Sequence, residues 1–435
     1  MNNDSKNFSR REFLRGATGL APLAGTRRVL AAPATPPVRV AVIGTGGRGS
    51  ELIRKLSTID GAGIVAICDD YAPHLKRAAQ YAGPQAQSFA DYRALLEKVK
   101  PDAVVVATPL WLHHRVCVDS IAAGSDVFCE KTMTYSIEEG RDLAGKVTAA
   151  KCVFQVGLQR RANTIYQQAQ AMVEAGMIGR VTAIKAQWHR NNNWRRPVPV
   201  ARTDPRRDEL EKRLNWRLYR RYSQGLMAEL GSHQMDIANW LLGTPPQRVI
   251  ATGGIDYWRD GREVPDNVFC IYDYAVTPPA HDREPVAKAP YTVRVTYSSL
   301  CNNAYEGASE LILGTRGTLF LTDKKGLLYA KRGADDVGWI NDDPSDKNAS
   351  IVTSGKTLGL TNDPWAHRGK PQEIDNLEGD DTRDQLVSFI EHVQQRDPQT
   401  ICDVHMGLRN AATSLIANRA MESGGVVEFP KDLRG

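Results

Sequence analysis

The stretch "VRVAVIGTGGRGS", Val38 to Ser50, decides the fold. Its first part, Val38 to Ile43, is apolar apart from Arg39 and rich in branched side chains, which predicts a buried strand. The strand leads directly into a glycine turn and then a helical pattern, an order typical of the phosphate-binding unit of dinucleotide-binding folds. The turn has the pattern G-x-G-x-x-G and consists of Gly44, Thr45, Gly46, Gly47, Arg48 and Gly49. We expect these residues to contact the cofactor.

Each glycine of the turn has a mechanical role. Gly44 permits the tight turn, Gly46 lets the backbone approach a pyrophosphate, and Gly49 lets the helix pack closely on the strand. The start of the helix offers unpaired N–H groups to the phosphates. The alternative is a purely structural glycine-rich turn, since a G-x-G-x-x-G pattern alone is a weak signal.

The next predicted strand, Ile64 to Cys68, ends at Asp69, which lies twenty residues after Gly49. An acid at this position accepts hydrogen bonds from the ribose hydroxyls of the adenosine half of the cofactor. Asp69 and Asp70 together repel a 2′-phosphate, so the sequence predicts NAD rather than NADP as the cofactor.

The alternation of strands and helices continues to about residue 156 and predicts a doubly wound parallel sheet. Further strands are expected at Ala103–Ala107, Val127–Cys129 and Val153–Val156. Ligands of such sheets bind at the carboxyl ends of the strands. The residues at these ends are therefore candidate cofactor contacts: Asp69, Thr108, Pro109, Glu130 and Lys131.

The pattern changes from Gly157 onward. Alternating segments such as Val181–Trp188, Val268–Tyr274 and Tyr291–Tyr297 predict strands, and two helices are expected near the C-terminus. The sequence therefore predicts an α/β fold with two domains. A Rossmann domain over 35–156 precedes an α+β domain over 157–435 that has a large, mostly antiparallel open sheet with helices on one face.

Length and composition are those of a two-domain globular protein. The chain has 435 residues, of which 42% are hydrophobic and 24% charged. No apolar run has membrane-spanning length, so no transmembrane span is predicted. Most of the net charge of +6 lies within Met1–Ala34, which leaves no argument for nucleic-acid binding by the remainder. The seven cysteines form no C-x-x-C pair, and no metal site is predicted.

The segment Ser9–Leu14, "SRREFL", resembles the twin-arginine export signal S-R-R-x-F-L. A weak apolar stretch follows, and then small residues, where a signal peptidase would cleave after Ala32 or Ala34. Residues 1–34 are therefore predicted to be a twin-arginine signal peptide, and the protein to be periplasmic or otherwise extracytoplasmic. The alternative is a basic tail without a targeting role.

Several motifs together resemble the Gfo/Idh/MocA family, which is named for glucose–fructose oxidoreductase and inositol dehydrogenase. They are "GTGGRG" (44–49), "TPLWLH" (108–113), "EKTM" (130–133), "VGLQRR" (156–161) and "ELGSHQMDIANWLLG" (229–243). The resemblance covers roughly residues 38–429. It implies a sugar oxidoreductase that forms a homodimer or homotetramer through the sheet of its second domain. Two positions depart from the family pattern, with Thr132 in place of the usual proline and Glu229 in place of the usual aspartate.

The resemblance implies that Lys131 and His233 are catalytic. His233 is the candidate base for the hydroxyl proton of a secondary alcohol, since imidazole titrates near neutral pH. Lys131 is the candidate electrostatic partner of the developing alkoxide. Glu229, four residues before His233, is expected on the same helix face, where it would orient the imidazole or raise its basicity.

Two regions are expected around the nicotinamide and the substrate. Trp111 and His113 follow a strand end and would frame either group, although His113 has the alternative of packing at a helix start. The segment 187–222 is rich in arginine and interleaved with tryptophan, which predicts a solvated surface loop, a subunit contact, or one wall of a sugar pocket. An acidic sugar is one candidate substrate for such a wall. Replacing Arg195 and Arg196 with alanine would test this hypothesis. The candidate substrate contacts are Trp111, Arg161, Trp188, Arg190 and Trp194.

Export and a nicotinamide cofactor are compatible if the cofactor never leaves the protein. Free NAD is expected to be scarce outside the cytoplasm, so we expect a tightly held cofactor that is recycled as a donor sugar is oxidised and an acceptor reduced. One alternative is a NAD-dependent glycosidase that oxidises, eliminates, hydrates and reduces a single substrate, with Tyr135, Tyr166 or Tyr222 as an added acid or base. Another is a catalytically inactive sugar-binding protein.

Overall fold

The computed structural model describes residues 36–278, 288–330, 371–375 and 379–434. The predicted export leader, residues 1–34, lies outside these residues. Within the described part of the chain, no helix is both long enough and apolar enough to cross a bilayer.

The first half of the fold is a six-stranded parallel sheet with strand order β3-β2-β1-β4-β5-β6. This order confirms the predicted doubly wound fold, because the chain reverses its direction across the sheet between β3 and β4. The strands are β1 (Val38–Ile43), β2 (Ala62–Cys68), β3 (Gln87–Phe89), β4 (Ala103–Val106), β5 (Asp126–Glu130) and β6 (Phe154–Gly157). The helices between them are α1 (Gly47–Leu56), α2 (Ala72–Ala82), α3 (Tyr92–Val99), α4 (His113–Ala122) and α5 (Ile137–Ala150).

The second half is a nine-stranded sheet with strand order β14-β13-β12-β11-β7-β10-β9-β8-β15. Among these strands β7 and β10 run parallel and the other neighbours antiparallel, so the prediction of a mostly antiparallel sheet is confirmed. The strands are β7 (Val181–Asn191), β8 (Arg248–Gly254), β9 (Asn267–Val276), β10 (Tyr291–Leu300), β11 (Asn302–Gly314), β12 (Gly317–Leu321), β13 (Gly326–Ala330), β14 (Gln372–Ile374) and β15 (Val427–Glu428). The helices are α6 (Thr164–Glu174), α7 (Arg207–Leu214), α8 (Ser232–Leu242), α9 (Asp381–Gln395) and α10 (Val404–Ser423).

Helices cover one face of the second sheet. The hydroxyl of Tyr272 on β9 donates to the backbone oxygen of Thr413 on α10, and that of Tyr274 donates to the Asn239 side chain on α8. Both tyrosines are fully buried, so burial of this face stabilises the fold and fixes α8 against the sheet.

Helix α9 returns to the first sheet from the far end of the chain. Its Phe389 is fully buried, with its ring 5.7 Å from that of Phe128 on β5. Leu386 and Ile390 of the same helix share the apolar core of β1 and α1. The helix therefore completes the core of the Rossmann sheet, although the sequence pattern assigned it to the second domain.

Candidate active site

The glycine turn after β1 has the geometry that dinucleotide binding requires. Gly44 has a φ of +91°, and a Cβ there would lie 2.5 Å from the carbonyl oxygen of Ala107. A Cβ at Gly49 would lie 1.8 Å from the carbonyl oxygen of Gly44, so a larger residue would separate α1 from β1. Gly46 opens onto space, since its Cβ would meet nothing nearer than His74 at 3.7 Å. The start of α1 has no side-chain cap, and this surface therefore fits a pyrophosphate.

Asp69 stands after β2 in a network that keeps it charged. Its Oδ2 accepts hydrogen bonds from the backbone N–H (2.8 Å) and hydroxyl (3.2 Å) of Thr45, and its Oδ1 accepts one from the N–H of Tyr71 (2.9 Å). Burial acts to raise the pKa of Asp69, but His74 and the backbone donors outweigh it, so the pKa is lowered. The carboxylate is therefore an anion, as an acceptor for ribose hydroxyls must be.

A cleft of about 360 Å³ brings most of the predicted site residues together. Its walls come from the carboxyl ends of the strands in the first sheet and from residues of the second half of the chain. The predicted residues that line it are Gly44, Gly46, Gly47, Arg48, Asp69, Thr108, Pro109, His113, Glu130, Lys131, Trp188, Arg190, Trp194, Glu229 and His233. Four other predicted contacts do not line it: Thr45 and Gly49, which are buried, and Trp111 and Arg161.

Lys131 follows β5 and joins the first sheet to the segment before α8. Its Nζ donates a hydrogen bond to the backbone oxygen of Glu229 at 2.8 Å. Burial lowers the pKa of Lys131 and outweighs the opposing effect of the Glu229 and Glu130 carboxylates. The cleft therefore holds a lysine that releases its proton more readily than a solvated lysine does.

The residues on either side of Lys131, Glu130 and Thr132, hold its loop in place through hydrogen bonds. The Nε of Arg48, in the glycine turn, donates to Oε1 of Glu130 at 2.8 Å. On the other side, the Thr132 hydroxyl donates to the backbone oxygen of Ala228 at 2.9 Å, and the Lys131–Thr132 peptide bond is cis. Thr132 therefore supplies a hydrogen bond that the proline expected from the family resemblance lacks.

His233 lies in α8 as a buried, neutral imidazole. Its ring centre is 5.3 Å from that of Trp188, and its Nδ1 has no hydrogen-bond partner among the described residues. Burial, followed by the nearby cations Lys131, Arg160 and Arg48, holds the pKa of His233 well below its usual range. The imidazole is therefore neutral near physiological pH, and its role as the base stays a prediction.

Glu229 does not orient His233 as the sequence spacing predicted. The expectation assumed an α-helix, in which residues four apart share a face. Met227–Gly231 forms a π-helical turn, which is wider and shifts this register. Oε2 of Glu229 accepts a hydrogen bond from Nε of Arg217 at 2.7 Å. The Glu229 carboxylate also interacts electrostatically with the charge of Lys131. Glu229 is therefore the counter-ion of Arg217 and Lys131.

His113 holds two strand ends together beside the cleft. Its Nδ1 and Nε2 each lie 2.9 Å from a backbone oxygen, of Thr132 and Thr108 respectively. Only an imidazolium donates to both. Burial lowers the pKa of His113, but contact with Cys129 and the two carbonyl groups outweigh burial and raise the pKa to about 9. The residue both lines the cleft and packs at the start of α4, so the two interpretations of the sequence are compatible.

Trp111 and the three tyrosines considered as acids or bases do not line the cleft. Trp111 is 42% exposed, and its ring centre lies 5.6 Å from that of Tyr222. The hydroxyl of Tyr135 donates to a backbone oxygen at 2.5 Å, and that of Tyr166 donates to the Glu310 carboxylate at 2.6 Å. Each of these tyrosines has a structural partner away from the predicted catalytic residues.

Arg161 is a buried structural residue rather than a substrate contact. Its Nε and Nη2 each donate to the Asp236 carboxylate at 2.9 Å, and its guanidinium carbon lies 5.2 Å from the ring centre of Trp240. The nearby residue that lines the cleft is Gln159. Sequence reasoning missed this because Asp236 is distant in the chain, and only the fold brings it to Arg161.

The end of β7 and the segment that follows it contribute a wall of aromatic and cationic groups. The guanidinium carbon of Arg190 lies 5.6 Å from the ring centre of Trp188 and 4.8 Å from that of Trp194. Burial lowers the pKa of Arg190, and no carboxylate of the described residues forms an ion pair with it. Arg195 differs, because it pairs with Glu211 and Asp260. Arg190, unlike Arg195, is thus placed to receive an anionic group beside His233.

Several residues that line the cleft were not singled out from the sequence. They are Tyr71, His74, Gln159, Arg213, Leu214, Trp216 and Arg217. Tyr71 and His74 lie two and five residues after Asp69. Their position just beyond a strand end could therefore have predicted that they line the site. The others depend on how the second half folds over the first. No group of three or more metal-ligating side chains is found in the residues that the structure describes.

Comparisons with known proteins agree with this architecture. Residues 38–158 match the family model "Oxidoreductase family, NAD-binding Rossmann fold", and residues 170–429 match "Oxidoreductase family, C-terminal alpha/beta domain". The chain is 30% identical over 237 residues to an inositol 2-dehydrogenase of Leifsonia xyli subsp. xyli, covering 54% of this chain and 61% of the relative. It is 30% identical over 229 residues to a glycosyl hydrolase family 109 protein of Shewanella sp. (strain ANA-3), covering 49% of each. The chain thus spans about half to three-fifths of the length of these curated relatives.

The solved structures share the fold at low sequence identity. The WlbA dehydrogenase of Bordetella pertussis, in complex with NADH and UDP-GlcNAcA, superposes with a TM-score of 0.65 at 20% identity. The superposition covers 91% of this chain and 98% of that one. Because the two family models together span most of the described residues, the chain belongs to the Gfo/Idh/MocA oxidoreductase family, with an NAD-binding Rossmann fold followed by the family's C-terminal α/β domain.

Proposed function

We propose that this protein oxidises a secondary alcohol of a sugar or sugar derivative with NAD as the oxidant. One observation carries the proposal: Lys131 and the neutral His233, whose Nδ1 has no hydrogen-bond partner among the described residues, line the same cleft as the glycine turn. A base, an electrostatic stabiliser and a dinucleotide site are the parts that such a reaction needs.

The residues present fit the cofactor. Gly46, Gly47 and the start of α1 would hold its pyrophosphate, and Asp69 would accept hydrogen bonds from its adenosine ribose. The Thr108 hydroxyl is buried in the cleft lining without a hydrogen-bond partner among the described residues, which leaves it for a ligand. Bound NAD would supply the hydride acceptor.

The chain's own groups handle the proton and the charge. His233 accepts the hydroxyl proton of the substrate, since it is neutral and its Nδ1 has no partner among the described residues. The Lys131 ammonium stabilises the negative charge that develops on the same oxygen. Glu229 acts through Lys131, because its backbone oxygen positions Nζ and its carboxylate favours the protonated form.

The cleft wall formed by Trp188, Arg190 and Trp194 favours an acidic sugar as the substrate. Indole faces pack against the C–H groups of sugar rings, and a guanidinium pairs with a carboxylate in a bidentate manner. Trp188 and Trp194 flank Arg190, which lacks an acidic partner among the described residues. Of the pair Arg195 and Arg196 that the sequence suggested for this role, Arg195 is already paired with carboxylates, whereas Arg190 was itself a predicted substrate contact.

A second candidate is an NAD-dependent glycosidase, which the 30% identity to a glycosyl hydrolase family 109 protein favours. In that chemistry, oxidation acidifies the adjacent C–H, elimination expels the aglycone, water adds to the resulting double bond, and the carbonyl is reduced again. Incubation with an aryl glycoside in D₂O distinguishes the glycosidase from the oxidoreductase. Release of the phenol with deuterium at the adjacent carbon and no net NADH supports the glycosidase, whereas oxidised sugar without phenol supports the oxidoreductase.

Export would fit a cofactor that is held and recycled. The "SRREFL" segment is the basis of this proposal, since a twin-arginine route carries folded proteins. Exchanging Arg10 and Arg11 for lysine should keep a tagged chain in the cytoplasm while the original reaches the periplasm. Equal distribution of the two would contradict export by this route.

We also propose self-association through the outer face of the second sheet. Ile250 and Ile271 are opposite each other on β8 and β9, and both are about half exposed, as is Phe269. Such a cluster is typical of an interface. Ile271→Glu should reduce the mass measured by light scattering, while Tyr81→Glu on the distant helix α2 should not.

The experiment that tests the main proposal uses protein purified without added cofactor. Denaturation releases any bound nucleotide, which mass spectrometry identifies and quantifies. Near-stoichiometric NAD or NADH supports the recycled oxidoreductase, which is then assayed with pairs of donor and acceptor sugars. Weak, reversible NAD binding indicates an ordinary dissociable dehydrogenase. No NAD binding at all contradicts the proposal and leaves the catalytically inactive sugar-binding protein.

A further inference from the structure

We propose that Arg196, from the second half of the chain, holds the NAD pyrophosphate against the glycine turn and thereby retains the cofactor. The inference rests on the proposed NAD-dependent function. Arg196 lines the cleft, and its Nη2 lies 3.6 Å from the position that a Cβ would take at Gly47. Gly47 is the first residue of α1, so the guanidinium faces the helix start that fits a phosphate.

The guanidinium of Arg196 lacks a counter-ion. No described carboxylate forms an ion pair with it, and its charged neighbours are the cations Arg217 and Arg77. Partial burial and these two cations lower the pKa of Arg196. Its neighbour Arg195 is neutralised by Glu211 and Asp260. A cluster of cations beside a helix N-terminus is the environment that a pyrophosphate stabilises.

The backbone of Arg196 is fixed, so the side chain starts from a defined position. Its N–H donates to Oδ1 of Asn215 at 2.6 Å, and its carbonyl oxygen accepts from Nδ2 of Asn215 at 3.1 Å. Asn215 is 1% exposed and also donates to Glu211 at 3.0 Å. Because its backbone is already fixed, Arg196 loses only side-chain freedom on binding a phosphate.

The same segment contacts the opposite side of the dinucleotide site. Nη1 of Arg213, on α7, donates to the backbone oxygen of Asp70 at 3.3 Å, and its Nη2 lies 3.7 Å from the Asp70 carboxylate. The segment from Arg196 to Arg213 thus touches the glycine turn and the residue after Asp69. A dinucleotide bound between them would be contacted from both sides, which would slow its release and keep it bound through many turnovers.

The test measures nucleotide binding rather than activity. The variants are Arg196→Ala, Arg196→Gln and Arg196→Lys, and the matched control is Arg202→Ala, an exposed arginine of the same segment. Each is purified without added cofactor, checked for its thermal midpoint, and assayed for nucleotide content. The NADH dissociation rate follows from the loss of energy transfer from tryptophan when excess NAD is added.

We expect Arg196→Ala and Arg196→Gln to dissociate NADH about tenfold faster or more, with Arg196→Lys intermediate and Arg202→Ala unchanged. Affinity for ADP-ribose, which carries the pyrophosphate, should fall by a similar factor, whereas affinity for adenosine should not change. Unchanged retention in both neutral variants would overturn the inference, as would a loss of sugar affinity alone. If the unaltered protein binds no nucleotide, the proposed function itself fails, which is a separate outcome.

Discussion

Nε of Arg217 lies 2.7 Å from Oε2 of Glu229, which places a partly buried ion pair beside Lys131. Lys131 Nζ donates to the backbone oxygen of the same glutamate at 2.8 Å. Burial acts to raise the pKa of Glu229, but Arg217 and Lys131 outweigh it and lower the pKa. The glutamate is therefore an anion at neutral pH, and it compensates part of the effect of burial on the lysine.

Replacing this anion should change the pH at which Lys131 loses its proton. Glu229→Gln removes the carboxylate that opposes burial, so the pKa of Lys131 falls further. If the ammonium form is the active one, the alkaline limb of kcat/KM moves to lower pH, by about one unit. The measurement is a pH–rate profile, with Glu97→Gln on the exposed surface of α3 as the control. An alkaline limb that stays in place would show that Lys131 does not depend on this carboxylate.

His233→Asn should slow oxidation while leaving the cofactor site intact. Loss of a general base costs about 10²- to 10⁴-fold in rate, and among the described residues no hydrogen bond joins His233 to the glycine turn or to Asp69. The nucleotide content after purification should therefore match that of the unaltered protein. Equal nucleotide content with undiminished turnover would remove His233 from the mechanism.

We expect the same histidine to determine the acid limb of the pH–rate profile of the unaltered protein. Because burial and neighbouring cations depress its pKa, His233 remains unprotonated and competent as a base below pH 6.5, its unperturbed value. Activity should fall only at distinctly lower pH. An acid limb of kcat/KM at or above 6.5 that disappears in His233→Asn would contradict the buried, neutral state.

Arg190→Ala should discriminate between acidic and neutral sugars. The change removes the unpaired guanidinium between Trp188 and Trp194, so KM for a carboxylate-bearing sugar should rise about tenfold or more. KM for the corresponding neutral sugar should change little. Arg190→Lys keeps the charge but loses the bidentate geometry, and an intermediate effect is expected. Equal effects on both sugars would indicate that Arg190 only supports the tryptophans.

Sequence reasoning succeeded where the chemistry is local. Gly44 and Gly49 are confined by backbone atoms of the turn itself and of the adjoining β4 end, so the glycine spacing was sufficient to predict their geometry. The role of Glu229 could not be predicted, because a π-helical turn breaks the four-residue register on which the argument depended. Arg190, Arg195 and Arg196 have the same chemistry, and only their partners in space separate the three roles.

The role of Arg161 also depends on a partner that is distant in the chain, Asp236, and a stability measurement can test that role. Asp236→Ala leaves the buried guanidinium without its carboxylate, which should lower the free energy of unfolding by about 3–5 kcal/mol. The double variant Arg161→Met with Asp236→Leu removes both charges, and it should recover most of that loss. Urea unfolding of the nucleotide-bound protein measures both effects. If Arg161 instead bound the substrate, the double variant would have near-normal stability but a raised KM for the sugar. We expect KM to stay unchanged, because Arg161 faces Asp236 and Trp240 and does not line the cleft.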